Sequence, residues 1–269
     1  MSKPEVSAAG SAKKSARSTD AGSHMLWTLT GFAILLAMWQ VVVLLGRYPE
    51  VVLPGPWSVA AGIFKDRALL FTHALVTLRE IGVGFALAVL IGVPIGAAVA
   101  FSKPLSRLLM PLMVVSNSIP KVAIAPLFLL WFGYGQITNI VLAVLVAIFP
   151  IVINTTLGLT HIEPDLIRLG KVMGGSPARI FWQIRVPTAL PSIFAGLKLA
   201  ITLATIGAIV GEMIAGQAGL GYLAQYASGQ LLTVMAFGAI VVMSALGVAL
   251  FYAIAWLEVI VVGPNRRAA

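Results

Sequence analysis

Apolar residues in this chain come in long unbroken runs, separated by short polar stretches. The runs at residues 26–46, 81–101, 108–133, 137–159, 189–214 and 233–262 are each long enough to cross a bilayer, since a helical crossing takes around 20 residues. The pattern predicts six membrane spans and an all-α integral membrane protein. A β-barrel would need alternating strands of about ten residues, and these runs do not alternate. Pro120, Lys121 and Pro126 interrupt the third run. They predict a kinked or broken helix whose freed backbone groups need neighbouring helices or a wet cavity. Gly92, Gly96, Ala97 and Ala100 in span two are small residues of the kind that lets helices pack closely. After span one, Pro54-Gly55-Pro56 opens a stretch in which Trp57, Ala60, Phe64 and Ala68 share a helical face beside Lys65, Asp66 and Arg67. That pattern predicts a short interfacial helix.

One polar segment departs from this regime. From Glu163 to Pro191 the chain is charged and punctuated by glycine and proline, with the core GKVMGGSPARIFWQIRVPTALP. Gly174 and Gly175 favour a turn. Before them, Leu166, Leu169 (or Gly170) and Met173 fall on one helical face. After them, Ile180, Phe181, Ile184 and Pro187 do the same, with Arg179 and Arg185 turned away. Two short helices joined by a glycine corner would make a knob able to dock into another protein. Spacing alone also allows a solvated loop.

Composition supports the membrane reading independently. The chain is 59% hydrophobic and 10% charged, with a mean hydropathy of +1.00. Soluble domains run at about 45–50% apolar and about 25% charged. Cysteine is absent, which excludes disulfides and thiolate metal sites.

The net charge of +9 invites a nucleic-acid reading, but the placement of the charges argues against it. With the N-terminus inside, six spans leave the C-terminus inside as well. Thirteen of the 18 basic residues then fall on the inner side: Lys3, Lys13, Lys14, Arg17, Lys103, Arg107, Arg168, Lys171, Arg179, Arg185, Lys198, Arg266 and Arg267. Arg47, Lys65, Arg67, Arg79 and Lys121 lie outside or within helices. This is the positive-inside asymmetry, and it puts the Glu163–Pro191 segment in the cytoplasm. No interleaved aromatic and basic cluster suggests a groove for nucleic acid. Residues 1–25, rich in Ser, Ala and Lys, are expected to be a disordered cytoplasmic tail. They lack the form of a signal peptide. Residues 26–262 form the span region, and 263–269 a second cytoplasmic tail.

The polar segment resembles the EAA loop of the permease subunits of bacterial ABC importers. Gly174 takes the glycine of that pattern, Pro187 lies thirteen residues further, and Pro191 follows four later. Val186 stands where the family has Leu, and Arg168, Leu169 and Gly170 occupy the EAA triplet, so its acidic residue is missing. Leu53-Pro54-Gly55-Pro56 is similar to the LPSP box of the nitrate, sulfonate, taurine and bicarbonate branch. IPKVAIAPLFLLWFGYG, from Ile119 to Gly135, is close to that branch's third-span signature. Phe149-Pro150 with Asn154-Thr155, and Gly211-Glu212-Met213 with Gly219-Leu220-Gly221-Tyr222, continue it in order. The resemblance implies a type I importer permease fold in the bacterial inner membrane, with both termini cytoplasmic. It also implies a second copy of the permease, two cytosolic ATPase subunits and a periplasmic binding protein. The ATPase-coupling residues would be Arg168, Leu169, Gly170, Gly174, Gly175, Phe181, Pro187 and Pro191. ATP and Mg would sit on the partner ATPase, with no cofactor on this chain. Branch members serve small sulfonates and oxyanions, or vitamin precursors and aromatic acids. The GLGY segment followed by Ala227-Ser228-Gly229 is slightly more like the vitamin-precursor members.

Enzyme readings fail on inventory. The chain has no phosphate loop of the G-x-x-x-x-G-K-S/T form, no H-E-x-x-H pair among His24, His73 and His161, and no G-x-S-x-G elbow. His161 reads as a solvated residue at a helix end. Ionisable groups at membrane depth usually face a wet cavity or a partner. Glu212 therefore reads as a gate or interhelical ion pair, or as a helix-end carboxylate reaching headgroup water. Ser116, Asn117, Lys121 and Asn154 are candidates to line a translocation path, with interhelical hydrogen bonding or neutralisation of freed carbonyls as the structural alternative. Arg79 and Glu80 are expected as a solvated pair at the outer interface, and Glu258 as a helix-end anchor beside Arg266 and Arg267. A stand-alone secondary transporter or channel is the rival reading, and it predicts paired broken helices.

Overall fold

The computed structural model describes residue 27 and residues 30–263, and the elements among the described residues are all helices. The tail expected over residues 1–25, and Arg266 and Arg267, lie outside the described residues. The helices are α1 (Thr30–Gly46), α2 (Pro56–Lys65), α3 (Arg67–Phe101), α4 (Lys103–Ser118), α5 (Lys121–Phe132) and α6 (Gln136–Thr160). They continue with α7 (Pro164–Val172), α8 (Pro177–Ile180), α9 (Val186–Ala215), α10 (Leu220–Gly229) and α11 (Thr233–Val262).

Among the described residues, four helical runs are long and apolar enough to cross a membrane: Arg67–Phe101, Gln136–Thr160, Pro177–Ala215 and Thr233–Val262. The first expected span is the shorter apolar helix α1. The third is broken into α4 and α5 at Ile119-Pro120, both in extended backbone. Proline pushes the residue before it out of the helical region, which is why the break falls there. Leu35, Leu45, Leu90, Leu130, Val248, Tyr252 and Trp256 are among the many large apolar side chains left exposed. An apolar exterior on this scale suits lipid contact.

The core lies where α3, α6 and α9 pack, around Ile81, Ala88, Ala143, Ala147, Ile151, Ala200, Ile201, Ala204 and Ala208. Lipid gives no hydrophobic drive to helix association, so close van der Waals approach has to supply it. On α9, Gly196, Ala200, Ala204, Gly207 and Gly211 recur at three- and four-residue spacing and line the face turned to α6. A Cβ at Gly207 would lie 2.9 Å from the Ala143 Cα, and one at Gly211 2.7 Å from the Asn139 Cα. The small residues read as packing positions in span two do the same: a Cβ at Gly92 would meet Ile151 at 2.9 Å, and one at Gly96 the Val152 carbonyl at 2.8 Å. A second cluster, Leu70, Leu220, Leu223, Ala224, Ala239 and Met243, wedges α10 between α3, α9 and α11. The bundle thus has two differently built ends. One carries α2, α10 and the start of α3; the other carries α7, α8 and the end of α3.

Glu258, near the end of α11, pairs with Lys198 at 2.9 Å, tying α11 to α9.

Candidate functional site

The segment from Glu163 to Pro191 is built from local signals. Pro164 opens α7 at its first turn, with Asp165 at the N-terminal and Lys171 at the C-terminal end, the placement that the helix dipole favours. Arg168 pairs with Asp165 of the same helix at 3.2 Å, with both side chains largely in solvent. At the other end, the Gly174 N–H donates to the Lys171 carbonyl (3.0 Å) and the Gly175 N–H to the Gly170 carbonyl (2.9 Å). Together these are the two bonds of a Schellman cap. Gly174 takes φ +74°, and a Cβ there would project into open space with nothing within 4 Å, so its constraint is backbone conformation and not room. Room is the constraint at Gly175, where a Cβ would lie 2.7 Å from the Gly170 carbonyl.

Beyond the corner, the Ser176 hydroxyl caps α8 by accepting from the Arg179 N–H. The expectation of two short helices fails here. α8 runs through a π-helical turn, Phe181–Arg185, directly into α9, giving one continuous helical run from Pro177 to Ala215. Pro187 accounts for part of the irregularity: it has no N–H to give to the Gln183 carbonyl, and the Val186 N–H reaches the Phe181 carbonyl in the wider π-helical pattern. Ile180 is buried against Gly170 and Gly175. Phe181 packs edge-on to Phe101 with ring centres 5.6 Å apart. Arg185 does not turn away as expected: its guanidinium lies 5.0 Å over the Phe101 ring, where the ring face attracts it.

The segment leaves Leu169, Val172, Met173 and Trp182 strongly exposed, Val172 at 85%. Val172 and Trp182 were missed by reading the sequence for one apolar stripe. The Schellman turn brings the end of α7 and the start of the next helix together, so the exposed apolar ridge draws on both.

At the opposite end lies a buried polar cluster. The Asn139 amide donates to both oxygens of Glu80, each at 3.1 Å. The Glu212 carboxylate accepts from the Gly221 N–H at 2.6 Å. Thr77 accepts from the Leu220 N–H at 2.8 Å, and the Gly219 N–H reaches the His73 Nδ1 at 3.0 Å. The loop between α9 and α10 is thereby held to α3. Glu80 and Glu212 are each 1% exposed, and among the described residues neither forms an ion pair. Glu212 is therefore neither the ion pair nor the headgroup-facing carboxylate expected; it is an interhelical hydrogen-bond acceptor. The solvated Arg79–Glu80 pair is also absent. Consecutive helical residues point about 100° apart, so Arg79 faces out while Glu80 faces the core. Glu80, Asn139, Thr77 and His73 were not singled out as a cluster in the sequence. Their one signal was an acid and an amide lying close to apolar runs.

The other path candidates are not gathered with Glu212. Ser116 is exposed on α4. The Asn117 and Lys121 side chains lie outside the described residues, though their backbones flank the α4–α5 break. The Asn154 side-chain amide donates to the Pro150 carbonyl one turn earlier on α6 at 2.9 Å, and the Asn154 backbone carbonyl accepts from the Ser192 hydroxyl of α9 at 2.8 Å. His161 caps α6 in an exposed position, as read from the sequence.

Residues 88–261 match the family model described as binding-protein-dependent transport system inner membrane component. A probable ABC transporter permease protein of Haemophilus influenzae is 38% identical over 87% of this chain and 96% of its own. The formylaminopyrimidine transport permease protein ThiX of Halalkalibacterium halodurans is 35% identical, covering 84% and 91%. The taurine transport system permease protein TauC of Escherichia coli is 30% identical, covering 79% and 80%. Among solved structures, a chain of the MetNI methionine ABC transporter, in inward facing conformations, matches the fold with a TM-score of 0.59. It is 23% identical, covering 74% of this chain and 96% of that one.

Proposed function

Because the chain belongs to the binding-protein-dependent inner membrane components, the permease subunits of ABC importers, we propose that it forms the translocation path of an ATP-driven importer. A periplasmic binding protein delivers the solute, and two cytosolic ATPases, carrying ATP and Mg, grip the 163–191 segment. Two copies of this chain enclose one path, since six spans with so few polar groups hardly line a path alone. The substrate is a small organic solute, either a heterocyclic vitamin precursor or a small sulfonate or oxyanion. Permeases at 35% and 30% identity are named for a formylaminopyrimidine and for taurine.

The observation that carries this reading is the unbroken helix from Pro177 to Ala215. That helix carries Trp182 of the exposed apolar ridge near one end and Glu212 and the α9–α10 loop at the other, and α7, with the rest of the ridge, packs on it where Gly170 meets Ile180 and Ile184. A push on Leu169, Val172 and Met173 would reach the far end of the bundle, the kind of coupling that alternating access needs.

The test is Gly174→Asp. A side chain at φ +74° costs about 1–2 kcal/mol, and a carboxylate brought into an ATPase cleft without a partner costs several more. The variant should insert and accumulate normally, because Gly174 touches no span. Uptake and ATP hydrolysis should be lost together, with the ATPase no longer co-purifying. A Gly174→Asp complex that keeps its ATPase and transports normally makes the segment an ordinary loop.

A further inference from the structure

A cavity of about 890 Å³ opens between the end of α3 and the 163–191 segment. Its apolar wall comes from Ala97, Ala98 and Phe101 on one side and Ile167, Ile180 and Phe181 on the other, and Lys171 and Arg185 add positive charge. No acidic residue is among those lining it. The cavity shares Gly174, Gly175 and Phe181 with the proposed coupling segment but opens away from its exposed apolar ridge. At 100° per residue, Ile167 and Lys171 lie about 40° apart on α7, whereas Leu169, Val172 and Met173 centre on the opposite face. Two requirements therefore meet in one place. The wall calls for hydrocarbon, and the cations call for an anion. The cavity also sits at the end of α3, where a span leaves the apolar layer. Basic pockets between helices at that level take anionic lipid headgroups.

We propose that this cavity holds one anionic phospholipid, with its phosphate between Lys171 and Arg185 and an acyl chain along Ala97, Ala98 and Phe101. Seated there, the lipid fills the gap between α3 and the loop and props the loop against the bundle. The assignment does not depend on what the ridge docks to.

Native mass spectrometry of the full-length chain, in the assembly in which it purifies, tests the idea by titration with phosphatidylglycerol or phosphatidylcholine of equal chain length. Phosphatidylglycerol should bind at least tenfold more tightly. Lys171→Gln, an exposed position, should weaken it about fivefold, the effect of one surface cation. Ala98→Phe should weaken it at least as much without any change of charge, by filling the space for the acyl chain, whereas Arg47→Gln at the opposite end should leave it unchanged. Equal binding of the two lipids overturns the proposal, as does phosphatidylglycerol binding that neither cavity variant alters. Displacement by millimolar inorganic phosphate would identify a free-anion site instead. Loss of the lipid whenever the ATPase binds would return the cavity to the ATPase interface. If Ala98→Phe fails to accumulate, Lys171→Gln alone decides.

Discussion

Glu80 shows what a buried carboxyl asks of its hydrogen-bond donor. It is buried, and Asn139 supplies hydrogen bonds to both of its oxygens. A buried acceptor left without its donor costs about 1–3 kcal/mol, and more when charged, whereas replacing both partners by apolar groups can be nearly neutral. Asn139→Leu should therefore destabilise the purified protein by about 3 kcal/mol, lowering the thermal midpoint by about 6 °C or more. The Glu80→Leu/Asn139→Leu double variant should recover much of that loss, and a double-mutant cycle measures the coupling. Equal, additive losses would mean that the amide and the carboxylate do not act as a pair. Glu212 differs, because its anchor is the Gly221 backbone. Removing its carboxylate should loosen the α9–α10 loop more than the helix bundle.

Helix contacts in this protein are set by which residues are missing a side chain. Gly96 touches the Val152 backbone and Thr155 across α3 and α6, whereas Gly82, on the same helix, has nothing within 4 Å. Gly96→Leu must push two backbones apart, a cost of about 1–3 kcal/mol or more, while Gly82→Leu adds an apolar group toward lipid. Monodispersity and midpoint should fall for the first and stay for the second; matching behaviour would show that α3 and α6 are not locked at Gly96. The role of Gly92 and Gly96 was legible because small residues at helical spacing in an apolar run have one common use. The break at Pro120 and the corner at Gly174 were legible for the same kind of reason, since proline and glycine act on their own backbone. What was not legible depends on tertiary placement. Nothing in the run around Asn139 says that Glu80 lies across from it, and Arg185 alone does not reveal Phe101. The continuity of α8 with α9 was hidden because Pro187 and Pro191 look like helix breakers. Pro187 instead stands in the first turn of α9, just after the π-helical turn, and Pro191 lies within the helix.

The two ends of the bundle differ in charge as well as in shape. Lys103, Arg107, Arg168, Lys171, Arg179, Arg185 and Lys198 belong to the end carrying α7 and α8, while Arg47, Lys65, Arg67 and Arg79 belong to the end carrying α2 and α10. Arginine and lysine are retained on the cytoplasmic side of inner-membrane proteins, so the excess predicts that the α7–α8 end faces the cytoplasm. The buried Glu80–Asn139–Glu212 cluster then lies toward the periplasm, where a delivered solute would enter, and the exposed ridge lies where an ATPase can reach it. The chain contains no cysteine, so single cysteines report this orientation without background. Ala60 on α2 and Ala178 on α8 are both exposed. Ala60→Cys should react with a membrane-impermeant maleimide in intact cells, and Ala178→Cys only after lysis. The reverse pattern would place the 163–191 segment outside, away from any source of ATP, and would remove the physical basis for coupling through it.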